Sequence, residues 1–160
     1  MNNKLIYIFL IIVLCFSCSK KEPIVEELAT EEKSFAIYKE ALDSMEAGDL
    51  FYASKKFEEA EAVLPKIEYS AKALLMSSFC LYTINFYDES LSALEKYIAK
   101  YPADKNIPYA HYLIAISLYE QILDEKKDIN PLLKSKKKID SFLKNYPDTE
   151  YALDLKFKLD

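Results

Sequence analysis

Apolar residues recur every three or four positions along most of the chain, as in the stretches AIYKEALDSM and LSALEKYIAKY. This spacing places them on one face of an α-helix. Prolines fall late in each unit of the pattern, at Pro65, Pro102 and Pro147. The pattern therefore predicts an all-α protein. The predicted helices lie at residues 31–46, 50–64, 67–83, 87–101, 107–123 and 131–145, with a seventh that begins near residue 148.

The helices are predicted to form a repeat, because the three prolines lie 37 and 45 residues apart, close to the roughly 34 of a tetratricopeptide repeat. The first unit carries the clearest signature. Gly48 permits a tight turn between its two helices, and Ala53 and Ala60 let these helices approach around the larger Phe57. We therefore expect a right-handed solenoid of helix-turn-helix units over residues 31–160, with three repeats and the start of a fourth.

The N-terminal segment reads as an export signal. Its apolar run, Leu5 to Phe16, is too short to span a bilayer, which takes roughly 20 residues. Lys4 precedes the run and the small residue Ser17 stands directly before Cys18, which is the order of a cleaved signal peptide. An ordinary secretory peptide with incidental cysteines is the alternative interpretation.

The same segment resembles a bacterial lipoprotein signal, in which a small residue precedes a cysteine that is acylated and becomes the new N-terminus. The resemblance implies a signal peptide at residues 1–17 and lipidation of Cys18. Ser19 after the cysteine implies sorting to the outer membrane, on its periplasmic face. Several acyl chains would give a stable bilayer anchor. Residues 18–30 would then form a polar tether.

Composition excludes two classes of protein. The chain has 26 acidic residues against 21 basic ones, all of them lysine, and a net charge of −5. This argues against a nucleic-acid partner, which calls for a basic face. Once the signal is removed, only Cys18 and Cys80 remain of the three cysteines. A disulfide framework is therefore not expected.

Few residues are candidates for catalysis, and we predict neither an enzyme nor a cofactor or metal site. The single histidine, His111, lacks a second imidazole at ligand spacing. Cys80 is expected to be a small buried apolar residue. The carboxylates Glu58, Glu59 and Glu61 are expected on a solvated face of the outer helix layer. The lysine-rich run at 134–138 is expected to be solvated too, with contact to lipid headgroups or an acidic partner as the alternative.

A ligand groove follows from the repeat register, in which Ala41, Ser78 and Ala115 occupy the small inter-helix position. Residues three before, one after and four after these positions should face the concave side, including Leu42, Met45, Leu75 and Ile116. Burial in the core between repeats is the alternative. The predicted peptide-binding residues are the aromatic members of this face and one residue a turn earlier: Tyr38, Phe79, Tyr82, Tyr109, Tyr112 and Tyr119.

Two phrases, FYDESLSALEKYIAKYP and YAHYLIAISLYEQ, resemble the BamD family, also called YfiO or ComL, across about residues 30–160. The resemblance implies a non-catalytic outer-membrane lipoprotein that helps to fold and insert β-barrel proteins. The implied partners are the barrel-forming subunit BamA, accessory lipoproteins and the C-terminal strands of unfolded clients. The alternative is another envelope tetratricopeptide lipoprotein that scaffolds a periplasmic complex.

The resemblance also implies about five repeats, whereas this chain reaches only the first helix of a fourth. A solenoid end that lacks its covering helix exposes apolar side chains. We therefore expect a frayed C-terminal helix with Leu153, Leu155, Phe157 and Leu159 partly uncovered.

Overall fold

The computed structural model describes residues 24–124 and 130–159, and these ranges contain seven α-helices and no strand. The all-α prediction is thus confirmed, and the helices form a tetratricopeptide-like repeat. The helices are α1 (Ile24–Glu46), α2 (Leu50–Val63), α3 (Ile67–Thr83), α4 (Tyr87–Lys100), α5 (Ile107–Asp124), α6 (Asn130–Asn145) and α7 (Glu150–Leu159).

The first helix begins earlier than predicted. It starts at Ile24 instead of residue 31, so the end of the predicted 18–30 tether is helical. The physical reason is local: no proline or glycine lies between residues 24 and 46, and Glu26 and Glu27 suit the positive end of the helix dipole. Residues 1–23, which include Cys18, lie outside the described residues. Residues Glu31–Asp160 form one compact unit.

The turns within the first two repeats are equivalent. Gly48, between α1 and α2, has a φ of 83°, and Asn85, between α3 and α4, has a φ of 63°. Asparagine adopts this left-handed conformation more readily than most residues. The side chain of Asp49 then caps α2 by accepting a hydrogen bond from the backbone N–H of Tyr52 at 3.2 Å. Asn85 therefore adopts, in the second repeat, the left-handed turn conformation that Gly48 adopts in the first.

Small residues let the paired helices approach closely, as the repeat signature predicts. In the second repeat the Ser90 hydroxyl donates to the Ser78 carbonyl across the pair at 2.9 Å. The larger residues Phe57, Leu94 and Ile139 fill the equivalent central place in successive repeats and are fully buried. The small positions are also buried: Ala41, Ala53, Ala60, Ser78, Ser90, Ala115 and Ser135.

The first helices of successive repeats also pack on one another, α3 against α5 and α5 against α7. The second helix of each repeat packs on the first helix of the next, α2 on α3, α4 on α5 and α6 on α7. Side chains of α3, α5 and α7 are therefore brought together in one layer. This layer carries most of the predicted groove residues.

Helix α7 packs against its neighbouring helices through one apolar side. Ala152 and Leu155 are fully buried in a cluster with Ile139 and Phe142. The prediction that Leu155 is uncovered was wrong, because its side chain points between α5 and α6. Leu153 and Phe157 are 69% and 82% exposed, as expected, and Leu159 is exposed as well.

None of the helices within the described ranges combines the length and the apolar character that crossing a bilayer would require.

Candidate peptide-binding surface

Four tyrosines and one carboxylate from three helices meet in the layer of first helices. We call this group the tyrosine cluster: Tyr82 of α3, Tyr109 and Tyr112 of α5, and Tyr151 and Asp154 of α7. The rings of Tyr112 and Tyr151 stack with their centroids 4.9 Å apart. Tyr109 lies 6.2 Å from Tyr112 and 5.5 Å from Tyr151. The cluster thus joins the second repeat, the third repeat and the terminal helix.

Helical spacing explains how the cluster forms. Tyr109 and Tyr112 lie three residues apart, so they share a face of α5. Tyr151 and Asp154 share a face of α7 for the same reason. The buried side chain of Leu155 packs α7 against α5 and α6. Burial chiefly, and then the nearby charges of Glu120 and Asp154, raise the pKa of Tyr82. The Tyr82 side chain packs against the same apolar core as Tyr109 and Tyr112.

The hydroxyls of the cluster differ in their partners. Tyr112 donates a hydrogen bond to the Asp154 carboxylate, with Oη and Oδ2 3.0 Å apart. Within the described residues, the hydroxyls of Tyr82 and Tyr109 have no hydrogen-bond partner, although both rings are only half-buried. These two groups are available to a ligand.

The phenols of the tyrosine cluster are protonated at neutral pH. Burial, with smaller contributions from Tyr151 and Tyr82, raises the pKa of Tyr109 to about 12. Burial and the hydrogen bond to Asp154 raise the pKa of Tyr112 further above its ordinary value. At neutral pH all these phenols are neutral hydrogen-bonding groups. Flat rings with polar tips suit an extended peptide that carries both apolar side chains and backbone hydrogen-bonding groups.

Five of the six predicted groove residues lie at or beside this surface. Phe79, Tyr82, Tyr109, Tyr112 and Tyr119 are half-buried and pack against the core formed by α3, α4 and α5. The ammonium of Lys158 lies 5.1 Å from the centre of the Tyr119 ring. Their contact with a peptide stays a prediction.

The structure corrects the groove prediction for the sixth residue, Tyr38. Its side chain is only 8% exposed and packs edge-on against Phe57, with ring centroids 5.5 Å apart. It therefore belongs to the core between α1 and α2 rather than to a groove. Burial, followed by the nearby Tyr69, raises its pKa. Leu75 and Ile116, placed on the groove side by the same register argument, are buried too.

A buried carboxylate was missed by the sequence analysis, which expected Glu61 on a solvated face. The Glu61 side chain is 3% exposed and accepts hydrogen bonds from Lys96 at 2.8 Å, from Lys100 and from the Tyr101 hydroxyl at 2.7 Å. We call these four residues the Glu61 network. Glu61 follows Phe57 by four positions and precedes Leu64 by three, so helical periodicity could have placed it at the edge of the buried stripe.

The network holds Glu61 ionised. Burial by itself would raise the pKa of Glu61, but the hydrogen bonds from Lys100, Lys96 and Tyr101 outweigh burial and lower the pKa to about 2. Since Glu61 lies on α2 and its three partners lie on or just after α4, the network ties the outer helices of the first two repeats together.

The two remaining sequence candidates are structural. Cys80 is buried, and burial raises the pKa of its thiol to about 11, so it is not an activated nucleophile. His111 is half-buried, 5.7 Å from the Tyr146 ring, and burial and the charge of Lys138 lower its pKa. No three potential metal-binding side chains lie together in the part of the chain that the structure describes.

Helix pairs that pack on one another in successive repeats define a helical-repeat protein. The family model of YfiO, an outer membrane lipoprotein, matches residues 30–160, and the chain belongs to this family.

Three similar relatives share the name outer membrane protein assembly factor BamD. The protein from Caulobacter vibrioides is 31% identical over 91% of this chain and 47% of its own length. The Rickettsia prowazekii protein is 29% identical over 99% of this chain and 61% of its own length. The Xylella fastidiosa (strain 9a5c) protein is 25% identical over 75% of this chain and 44% of its own length. The chain thus spans about half the length of the curated relatives it matches.

Proposed function

We propose that this chain is a non-catalytic scaffold of the outer-membrane β-barrel assembly machinery, and that its inner tyrosine surface receives unfolded barrel proteins. The observation that carries the proposal is membership of an outer membrane lipoprotein family whose matched relatives are named as assembly factors. The tyrosine cluster supplies a place for the client.

The proposed client segment is a C-terminal β-strand of an unfolded barrel protein. Such a strand alternates apolar and polar side chains, so it can place one row of side chains against the rings of Tyr109 and Tyr112. The unpaired hydroxyls of Tyr82 and Tyr109 would hydrogen-bond its backbone. The barrel-forming subunit BamA and accessory lipoproteins are the proposed partners of the whole protein.

The proposed membrane attachment uses acylated Cys18 after removal of residues 1–17. The anchor would hold the 31–160 repeat domain at the periplasmic face of the outer membrane. Residues 18–23, followed by the helical residues 24–30, would connect the anchor to the domain. Mass determination of the membrane-extracted protein tests this step, since acylation adds a defined mass at Cys18.

The experiment that tests client binding places a photo-crosslinking amino acid at Tyr82 of the full chain in its own membranes. Captured proteins are identified by mass spectrometry. The matched control places the same group at Glu95, an exposed position on α4, the outer helix of the second repeat. We expect barrel precursors or the barrel-forming subunit at position 82 and not at position 95.

Two results would contradict the proposal. Capture of the same proteins at both positions would mean that the inner surface has no special role. Capture of unrelated envelope proteins at position 82 would instead support a scaffold for another periplasmic complex.

A further inference from the structure

Helix α6 presents an unusual outer face. Its buried stripe, Ser135, Ile139 and Phe142, packs into the core shared with α5 and α7. Leu133, Lys137 and Lys144 lie on the opposite side, at helical spacings of four and seven residues. Lys134 and Lys136 flank them. All of these five residues are exposed.

The charge of this face is nearly unbalanced. Helix α6 contains five lysines and one acidic residue, Asp140, although the whole chain has a net charge of −5. Asp140 pairs with Lys136 at 2.9 Å. Across residues 24–124 and 130–159, the other four have no ion-pair partner: Lys134, Lys137, Lys138 and Lys144. Helix α6 is therefore a basic patch on an acidic protein.

Two large apolar side chains are exposed at the start of the same helix. Leu132 is 48% exposed and Leu133 is 58% exposed. Lysine chains beside exposed leucines are typical of helices that lie on a membrane surface, where ammonium groups meet phosphates and leucines enter the headgroup region. An acidic protein surface would match the charges but gives the exposed leucines no defined environment.

We propose that the outer face of α6 docks on anionic phospholipid headgroups of a bilayer. Lys134, Lys137 and Lys144 would face lipid phosphates, and Leu133, which shares their face, would enter the interface. Charge complementarity carries the proposal, and the chain belongs to an outer membrane lipoprotein family. The contact would orient the repeat domain relative to the membrane, in addition to any attachment through Cys18.

The test uses the full chain with an environment-sensitive fluorescent amino acid at Leu133. Emission is compared on vesicles of phosphatidylcholine alone and on vesicles that also contain phosphatidylglycerol. We expect a blue shift only with phosphatidylglycerol. We also expect its loss at about 1 M salt, where the screening length falls to about 3 Å. The same probe at Ser92, exposed on α4, should not respond.

A charge variant sharpens the test. Replacing Lys134, Lys137 and Lys144 by glutamine should weaken the phosphatidylglycerol-dependent contact by roughly 100-fold, since each lysine near an anionic surface contributes about fivefold. The matched control replaces Lys66, Lys72 and Lys105 by glutamine, three exposed lysines of other segments, and should keep the shift. Arginine at the three α6 positions should keep it as well.

Three results would overturn the proposal. The first is equal emission of the probe at position 133 on both kinds of vesicle, with all the lysines of α6 in place. The second is a shift that survives the α6 glutamine replacements. The third is a shift that requires an added acidic protein instead of the anionic lipid. A chain without an acyl anchor that floats only with phosphatidylglycerol vesicles would support the proposal, because its binding would then depend on the anionic headgroup.

Discussion

The Glu61 network and the tyrosine cluster both combine tyrosine with a carboxylate between repeats, yet their carboxylates are satisfied to different degrees. Glu61 accepts from two lysines and one phenol and is almost fully buried. Asp154 accepts from Tyr112 only, and the neighbouring hydroxyls of Tyr82 and Tyr109 have no partner among the described residues. The Glu61 network holds two repeats together, whereas we propose that the tyrosine cluster, with its unpaired hydroxyls, binds a ligand.

The largest expected effect comes from weakening the packing of helix α7, which carries two members of the tyrosine cluster. Leu155→Ala removes a fully buried side chain and should lower the free energy of unfolding by about 2–5 kcal/mol. Hydrogen exchange should show lost protection in α7 and unchanged protection in α2, because the Glu61 network does not touch α7. The control Leu153→Ala changes an exposed leucine and should cost less than about 0.5 kcal/mol. Equal costs for the two variants would mean that α7 is not seated as described.

The next effect breaks the Glu61 network. Glu61→Gln removes the charge that Lys96 and Lys100 bind and should lower the free energy of unfolding by about 2 kcal/mol, measured by urea titration near pH 7. The control Glu59→Gln lies on the same helix but in an exposed pair with Lys56, which contributes about 0–1 kcal/mol. Client capture at Tyr82 should be unchanged. A loss of capture would remove the distinction between the two regions.

The pH dependence of this effect has a definite sign. The pKa of Glu61 falls from 4.5 to about 2 on folding. The unfolded chain therefore binds the extra proton between these values, and the stabilisation is lost as pH falls. The stability difference between the unmodified chain and Glu61→Gln should be constant above pH 4.5 and shrink towards about pH 2. A difference that stays constant across this window would contradict the network.

A smaller effect on stability is expected from the hydrogen bond within the tyrosine cluster. Tyr112→Phe removes the hydrogen bond to Asp154 and should lower the free energy of unfolding by about 0.5–1.5 kcal/mol. Tyr151→Phe keeps that hydrogen bond and serves as the control in the same denaturant titration. An unchanged stability of Tyr112→Phe would show that the bond to Asp154 contributes nothing.

The smallest stability effect is expected at Tyr82. Its hydroxyl has no hydrogen-bond partner among the described residues, so Tyr82→Phe should change the free energy of unfolding by less than about 0.5 kcal/mol. Peptide affinity should still fall severalfold, by about 1 kcal/mol for one lost hydrogen bond. Isothermal titration with a client-strand peptide measures this. A joint loss of stability and affinity would assign Tyr82 to the core.

Much of the fold could be predicted because its signals are local. Pro65, Pro102 and Pro147 end their units, and the left-handed turns at Gly48 and Asn85 follow from residue type and register. The start of α1 was predicted too late because residues 18–30 were assigned as a whole to a polar tether, although Ile24 and Leu28 already have helical spacing. Local signals were therefore present at this end of the helix too.

The candidate site was predicted less completely because it depends on neighbouring helices. Tyr38 and Tyr82 were both assigned to the groove side by register, three residues before Ala41 and four residues after Ser78. Tyr38 is buried by the large Phe57 ring of α2, whereas Tyr82 lies half-buried against Tyr87 at a ring distance of 6.0 Å. Glu61 was predicted to be solvated because its partners Lys96 and Lys100 lie in the next repeat, far from it in sequence. Such contacts require the packing of whole helices.

The most direct test of the central distinction compares peptide binding by Tyr82→Ala and Glu61→Gln with binding by the unmodified chain. A labelled peptide of alternating apolar residues with an aromatic C-terminus is titrated at a temperature where all three proteins are folded. We predict weakened binding for Tyr82→Ala and unchanged binding for Glu61→Gln. Unchanged binding by Tyr82→Ala, or equal losses in both variants, would contradict the assignment of the tyrosine cluster as the binding surface.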